Sequence, residues 1–188
     1  MSGPRLVLLG APGAGKGTQA ARLAAATGAR HISTGDLLRA EVAAGTELGR
    51  QVAGRLESGD LVPDQVLLTL TLPLVEAAAR AAGYLLDGFP RSVPQARELD
   101  ARTDPATAVG RVLLLDVPAD ELVGRLLGRA AEQGRPDDTA EVIQRRLRVF
   151  RDETSALIDY YRADGRLRTV DGSGEPDAVA AAIRSALG

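Results

Sequence analysis

The chain has 188 residues, which is enough for one domain with a hydrophobic core of its own. It contains no cysteine and one histidine, so disulfides, thiolate zinc sites and multi-histidine metal sites are excluded. The net charge of -2 gives no general attraction to nucleic acids or membranes, and no apolar run is long enough to cross a bilayer. We therefore expect a cytoplasmic protein that binds neither a nucleic acid nor a membrane. The sequence gives no hydrophobic patch that argues for an oligomer, so the default expectation is a monomer.

Short apolar runs alternate with longer helical patterns along the chain. In chain order, the pattern predicts a strand at 5–9, a helix at 18–26, a strand at 31–33, a helix from residue 35 onward, a helix at 67–82, a strand at 84–86, a strand at 112–117, helices at 119–129 and 139–161, a strand at 167–170 and a helix at 175–187. Strands separated by helices of this length predict an α/β fold, with a parallel sheet covered by helices on both faces.

Two segments do not fit this alternation. Residues 45–63 hold short helical patterns that are interrupted by glycines, and residues 129–138 form a short polar turn rich in Arg and Asp. In an open parallel sheet, ligands bind at the carboxyl ends of the strands. We expect both segments to be mobile flaps over that edge.

A glycine-rich loop, Gly10-Ala-Pro-Gly-Ala-Gly-Lys16-Gly-Thr18, joins the first predicted strand to the first predicted helix. Glycines let backbone N–H groups converge on phosphate oxygens, and the start of the helix adds a favourable dipole. Lys16 is the chain's one lysine among 23 Lys and Arg residues. Because a compact ammonium fits between phosphate oxygens where a planar guanidinium does not, Lys16 is predicted to bind a nucleoside triphosphate.

Asp87 directly follows the predicted strand at 84–86 and precedes Gly88. Asp before Gly is also common in turns, so this position is informative only together with the phosphate loop. An acidic residue at the end of a strand beside that loop can hold Mg²⁺, directly or through water. We predict that role for Asp87.

Several arginines lie in or beside loops that should face the same edge of the sheet. A single Arg is more commonly a solvated surface residue, but as a set they suit the charge of a phosphoryl group in transfer. The set comprises Arg39, Arg91, Arg125, Arg129, Arg135 and Arg146. His31 has no partner motif and is interpreted as structural.

These motifs resemble those of the adenylate kinase family, in its bacterial short-lid form, over essentially the whole length. The resemblance includes Gly17, which stands between Lys16 and Thr18 where the general phosphate-loop pattern has Ser or Thr directly after Lys. The matching segments are Gly10 to Thr18, Ile32 to Arg39, Asp87-Gly-Phe-Pro-Arg91 with Gln95, Arg125 to Arg129, Arg135 to Asp138, Arg146 and Val170 to Gly172.

The resemblance implies a set of roles, position by position. ATP would be bound by Gly13, Ala14, Gly15, Lys16, Gly17, Thr18, Arg125, Arg129 and Gly174. AMP would be bound by Thr34, Arg39, Asp60, Leu61, Val62, Gly88, Phe89, Pro90, Arg91, Gln95, Arg135 and Arg146. The residues acting on the transferring group would be Lys16, Arg91, Arg129, Arg135 and Arg146.

The resemblance also implies the architecture and the reaction. The fold would be a P-loop NTPase-type three-layer sandwich on a five-stranded parallel sheet. Its core would comprise 1–32, 63–128 and 139–188, with a nucleoside-monophosphate-binding insertion at 33–62 and a short lid at 129–138. The reaction would be reversible transfer of the γ-phosphoryl group of Mg·ATP to AMP, giving two ADP. Asp87 would hold Mg²⁺ through water, and no structural zinc is expected.

Two alternative functions remain at this point. The first is a kinase for another nucleoside monophosphate, such as UMP or CMP, against which Thr34 and Gln95 argue by resemblance. The second is a phosphate-loop binding module or ATPase that has no small-molecule acceptor. An assay with different monophosphates would separate all three.

Overall fold

The computed structural model describes residues 3–133 and 139–188, and the side chains of all of these except 129–133. Five strands form one fully parallel sheet in the order β2-β3-β1-β4-β5. The strands are β1 (Arg5–Leu9), β2 (Arg30–Ser33), β3 (Tyr84–Asp87), β4 (Arg111–Asp116) and β5 (Leu167–Asp171). The predicted α/β class with a five-stranded parallel sheet is confirmed.

Helices connect successive strands, as parallel pairing requires. The helices are α1 (Lys16–Thr27), α2 (Thr34–Ala43), α3 (Glu47–Ser58), α4 (Asp64–Arg80), α5 (Val93–Arg102), α6 (Ala119–Gln133), α7 (Ala140–Ala163) and α8 (Pro176–Leu187). None of the helices in the described residues combines the length and the hydropathy needed to span a bilayer.

The core has two parts, one on each face of the sheet. Along β1, Val7 and Leu9 pack into one part while Leu6 and Leu8 pack into the other. The strands β3 and β4 alternate in the same way, because successive side chains of a strand point to opposite faces. Both faces are apolar, which explains why the strands appear in the sequence as continuous hydrophobic runs.

The structure differs most from the predicted elements at residues 45–63, at the end of α6 and at α5. Residues 45–63, predicted as short helices, contain the single twelve-residue helix α3. A glycine is tolerated inside α3 at position 49 because α2 and α3 approach each other closely there. A Cβ at this position would stand 2.1 Å from the Glu41 carbonyl oxygen. Helix α6 continues past residue 129 to Gln133, so the first half of the predicted polar turn is helical, and residues 134–138 lie outside the described part.

Helix α5 was not predicted at all, because its composition is polar. A start signal was nevertheless present. The Ser92 hydroxyl accepts a hydrogen bond from the backbone N–H of Gln95, and Pro94 stands in the first turn.

Candidate functional site

A cleft of about 890 Å³ lies at the carboxyl edge of the sheet. Its wall is formed by the loops after β1, β3, α3 and β5, together with the ends of strands and parts of α1, α2, α3, α4, α6, α7 and α8. The size is within the range of small-molecule sites, and the position is the one where parallel α/β sheets bind ligands. The cleft is therefore the candidate active site.

One end of the cleft is the glycine-rich loop and the start of α1. Gly13 and Gly15 have positive φ angles of 86° and 87°, which glycine adopts without strain. The N-cap of α1 is Gly15, which supplies no side-chain hydrogen bond, and the first turn has no acidic residue. The first N–H groups of α1 are thus left for an anion. Side chains cap the starts of α2, α3, α5 and α7, and the starts of α4 and α8 lack a side-chain cap as α1 does.

The ammonium group of Lys16 lies across this loop. Its Nζ donates hydrogen bonds to the carbonyl oxygens of Gly10 at 2.8 Å and Ala11 at 3.0 Å. Lys16 also lines the cleft and acts electrostatically on Asp87. The positive charge is therefore held beside the helix N-terminus, where an anion would be bound.

Asp87 stands at the end of β3 and faces the phosphate loop. A Cβ on Gly17 would lie 3.6 Å from Asp87 Oδ2, and His31 Nε2 lies 3.7 Å from the same oxygen. Burial alone would raise the pKa of Asp87, but the neighbouring His31 ring and the charges of Lys16 and Arg91 lower it below its usual range. The carboxyl group is therefore held ionised inside the cleft.

The other end of the cleft carries three arginines. Desolvation by the surrounding protein lowers the pKa of Arg91, and the charge of Asp87 opposes this effect. Arg146 and Arg39 are close enough that their positive charges lower the pKa of Arg91 further. Arg91 Nε donates to the Gly88 carbonyl oxygen at 2.8 Å, which fixes the guanidinium over the loop after β3. A cluster of like charges of this kind favours the binding of an anion.

Gly88 allows this arrangement. Its φ is +84°, and a Cβ there would lie 2.6 Å from Thr34 Oγ1 and 3.2 Å from Arg91 Nη2. A side chain at this position would therefore displace the guanidinium and the hydroxyl together. The Thr34 hydroxyl also lies 3.4 Å from the Asp87 carbonyl oxygen, which ties the start of α2 to β3.

Helix α7 closes the side of the cleft that faces α3. Arg145 pairs with Asp60, with Nε 2.8 Å and Nη2 2.5 Å from Oδ1. Gly59, with φ +77°, packs so closely that a Cβ would meet Arg146 Cγ and Val142 Cγ1 at 3.0 Å each. The segment after α3 is thus held against the helix that supplies Arg146.

Arg125 ties the opposite wall together. Its Nη1 donates to the Gly172 carbonyl oxygen at 2.9 Å, and its Nη2 donates to the Ser173 carbonyl oxygen at 3.0 Å. These bonds hold the loop that carries Gly174, another residue of the cleft wall. Arg125 therefore shapes this wall through the backbone of the loop as well as lining it.

The structure brings most of the predicted site residues to this one cleft. The residues on its wall are Gly13, Ala14, Gly15, Lys16, Gly17, Thr18, Thr34, Arg39, Asp60, Leu61, Val62, Asp87, Gly88, Pro90, Arg91, Arg125, Arg146 and Gly174. Phe89 is absent from that wall because its side chain is buried in the core. Gln95 is buried behind the wall, the side chain of Arg129 is outside the described part, and so is Arg135.

Sequence reasoning missed three residues at this site. His31, interpreted as structural and without a partner, lines the cleft beside Asp87. Gln19 is buried on the wall near Gly174 and donates to the Pro176 carbonyl oxygen at 2.9 Å. Asp64 binds the Gln95 amide at 2.6 Å. Of these three residues, only Gln19 could have been found from the sequence, because it stands one turn into the helix that follows the phosphate loop.

The donor groups around Asp87 fit a magnesium ion that arrives with a nucleotide. Mg²⁺ is usually held by one or two carboxylates plus substrate phosphates and water, and Asp87 provides one ionised carboxylate opposite the phosphate loop. No group of three or more His, Cys, Asp or Glu side chains able to hold a metal occurs in the described residues. The ligands that Asp87 does not supply would have to come from phosphate oxygens and water.

Comparison with known proteins identifies the family to which these features belong. The sequence model of the adenylate kinase family matches residues 8–166. An adenylate kinase of Mycolicibacterium vanbaalenii is 50% identical over 185 residues, covering 98% of this chain and 99% of that protein. One of Thermus thermophilus is 49% identical over 187 residues (99% and 98%), and one of Stenotrophomonas maltophilia is 48% identical over 184 residues (97% and 98%).

Proposed function

The chain belongs to the adenylate kinase family, and we propose that its cleft carries out reversible transfer of the γ-phosphoryl group of Mg·ATP to AMP, giving two ADP. The observation that carries the proposal is the presence of two anion-binding ends in one cleft. The uncapped start of α1 with Lys16 forms one end, and the group of Arg39, Arg91 and Arg146 forms the other. A phosphotransferase needs such a pair of ends, one for the donor and one for the acceptor.

ATP binds at the first end in this proposal. Gly13, Ala14, Gly15, Lys16, Gly17 and Thr18 hold its phosphates through backbone N–H groups and the Lys16 ammonium. Arg125, Arg129 and Gly174 complete the donor site on the side of the base. When Mg²⁺ is bound with the nucleotide, it supplies charge neutralisation at the phosphate oxygens, and Asp87 is the residue that holds it through water.

AMP binds at the second end. Arg39 and Arg91 bind its phosphate, Thr34 and Gln95 contact its adenine, and the segments 60–62 and 88–90 line its site. Arg135 and Arg146 bridge the two nucleotides. An oxygen of the AMP phosphate attacks the γ-phosphorus of ATP, the bond from that phosphorus to the β–γ bridging oxygen breaks, and the electron pair leaves with ADP.

The chain's own residues act here by position and charge. The attacking phosphate oxygen is already anionic near neutral pH, so no side chain has to remove a proton. Lys16, Arg91, Arg129, Arg135 and Arg146 stabilise the negative charge on the equatorial oxygens in the transition state. Because charge stabilisation of this kind is strong only where water is excluded, closure of the site is part of the mechanism.

The chain divides into three parts by role. We assign residues 33–62 to an insertion that binds the monophosphate, residues 129–138 to a short lid, and the remainder to the core. An enzyme that exposed its arginines to water would hydrolyse ATP, and the two smaller parts would prevent this by closing over the acceptor and the donor. We further propose that the protein acts as a cytoplasmic monomer, without nucleic acid or membrane, because its substrates are free nucleotides.

The test is ADP formation from Mg·ATP with AMP, CMP, UMP, GMP, dTMP or no acceptor, measured in parallel. We expect rapid turnover with AMP and little with the others. Preference for another monophosphate would overturn the base assignment and leave the phosphoryl-transfer chemistry intact. Hydrolysis of ATP at the same rate whatever acceptor is present would overturn the proposal.

A further inference from the structure

The side-chain amide of Gln95 is held from two sides. Its Oε1 accepts a hydrogen bond from the backbone N–H of Arg91 at 2.7 Å, and its Nε2 donates one to Asp64 Oδ1 at 2.6 Å. The partners come from different elements, since Arg91 lies in the loop after β3 and Asp64 is the first residue of α4. Gln95 itself is buried, with 1% of its surface exposed.

The chemistry of these partners allows only one orientation of the amide. A backbone N–H can only donate a hydrogen bond, and an ionised carboxylate can only accept one. Turning the amide by 180° would place its NH₂ group against the N–H of Arg91 and its oxygen against the carboxylate of Asp64. Both contacts would be repulsive, so the order of oxygen and nitrogen is fixed by these two neighbours.

These two hydrogen bonds leave one acceptor position and one donor hydrogen of the amide unused. Oε1 has a second lone pair and Nε2 has a second hydrogen. A 6-aminopurine offers a donor at N6 and an acceptor at N1, whereas a 6-oxopurine offers an acceptor at O6 and a donor at N1. A glutamine that can rotate pairs with either edge, but a glutamine that cannot rotate pairs with one of them.

Both partners connect the amide to the acceptor end of the cleft. Arg91 lines the cleft, and so does Val62, which stands two residues before Asp64. We infer that Asp64 is a specificity-determining positioning residue, which holds the amide of Gln95 in the order that pairs with a 6-aminopurine and opposes a 6-oxopurine. The inference rests on the proposed function, in which the base of AMP lies against Gln95.

The test compares two substitutions of Asp64. Asp64→Ala removes the acceptor for Nε2, so that only the bond from the Arg91 N–H is left to hold the orientation of the amide. Asp64→Asn removes the charge but keeps an oxygen that can accept the same bond. For each variant the kcat, the KM for AMP, the KM for ATP and the inhibition constant of GMP against AMP are measured.

We expect Asp64→Ala to raise the KM for AMP about tenfold, the size of effect that follows when the buried amide of Gln95 loses a charged hydrogen-bond partner. The ratio of the GMP inhibition constant to the AMP KM should fall by a similar factor, while kcat and the KM for ATP stay within about twofold. Asp64→Asn should stay within about threefold of the unmodified protein on every constant. Gln65→Ala, at the exposed neighbouring position of the same turn, is the matched control and should change none of them.

These measurements separate positioning from a role of Asp64 in stabilising α4. An acid in the first turn also interacts with the helix dipole, and that contribution disappears equally in the Ala and Asn variants. Equal effects of both variants on the AMP constants, or an Asp64→Ala variant that keeps the AMP KM and the GMP ratio, would overturn the inference. Failure of the unmodified protein to prefer AMP over GMP would instead overturn the proposed acceptor, and that result is visible before any variant is assayed.

Discussion

The role of Lys16 gives the most direct test of the donor site. In the Lys16→Met variant the apolar stem is kept and the ammonium is lost, together with its hydrogen bonds to the carbonyl oxygens of Gly10 and Ala11. Removal of one preorganised charged donor from a transition state costs about 3–4 kcal/mol. We therefore expect kcat with saturating ATP and AMP to fall by about 100- to 1,000-fold, as measured by coupled ADP formation.

The fold should survive this substitution. Each net hydrogen bond contributes about 1 kcal/mol, so the free energy of unfolding should fall by about 2 kcal/mol. For a chain of this size the melting temperature then falls by roughly 4–8 °C, which leaves a folded protein at 25 °C. Arg184→Met, an exposed position in the last turn of α8, removes the same charge away from the cleft and should leave kcat unchanged.

A second readout of the same variant uses pH. The charge of Lys16 is one of the groups that lower the pKa of Asp87 against the raising effect of burial. Without it the pKa of Asp87 rises, so the acid side of the residual activity profile should move to higher pH. A folded Lys16→Met variant that keeps more than a tenth of kcat, with an unmoved acid limb, would refute this account of the phosphate loop.

Three further predictions concern other parts of the structure. Gly88→Ala places a Cβ 2.6 Å from Thr34 Oγ1, at a residue whose φ is positive. We expect the KM for AMP to rise about tenfold while the KM for ATP stays unchanged, and equal rises in both constants would contradict this. Burial alone would raise the pKa of Asp100, but hydrogen bonds from Arg166 lower it, so its stabilising effect is present above its unfolded pKa near 4 and disappears as pH falls through the lower folded pKa. Asp100→Asn should therefore lower the free energy of unfolding by about 2 kcal/mol at pH 7 and by progressively less as the pH falls below about 4; a difference that does not depend on pH would argue against this. Thr71 is fully buried, and its hydroxyl has no hydrogen-bond partner in the described part of the chain. Thr71→Val should therefore raise the free energy of unfolding, measured by urea titration, by about 1 kcal/mol, and a lower free energy of unfolding would contradict this.

The geometry of the phosphate-loop end of the cleft was predictable because it is local in sequence. The loop between β1 and α1 carries its glycines, its lysine and the uncapped helix start within nine residues, Gly10 to Thr18. Each of these features has a physical reason that depends only on neighbours along the chain. The same is true of the strands, whose continuous apolar runs follow from burial on both faces of the sheet.

The surroundings of Asp87 were not predictable in the same way. His31 is near Asp87 because β2 pairs with β3 and not with β1, so that Ser33 stands opposite Asp87 in the sheet. Chain order alone does not give that pairing. The contact between Asp64 and Gln95 is of the same kind, since 31 positions separate two helices that meet only in the folded chain.

The two ends of the cleft are therefore built by different means, and this affects where substrate preference can change. At the proposed donor end, Gly15 and Lys16 present backbone groups and a flexible ammonium, which would hold phosphate whatever base the nucleotide carries. At the acceptor end, a buried amide is held in one orientation by partners from two other elements. A substitution at Asp64 is thus expected to alter the choice of acceptor without touching the ligand.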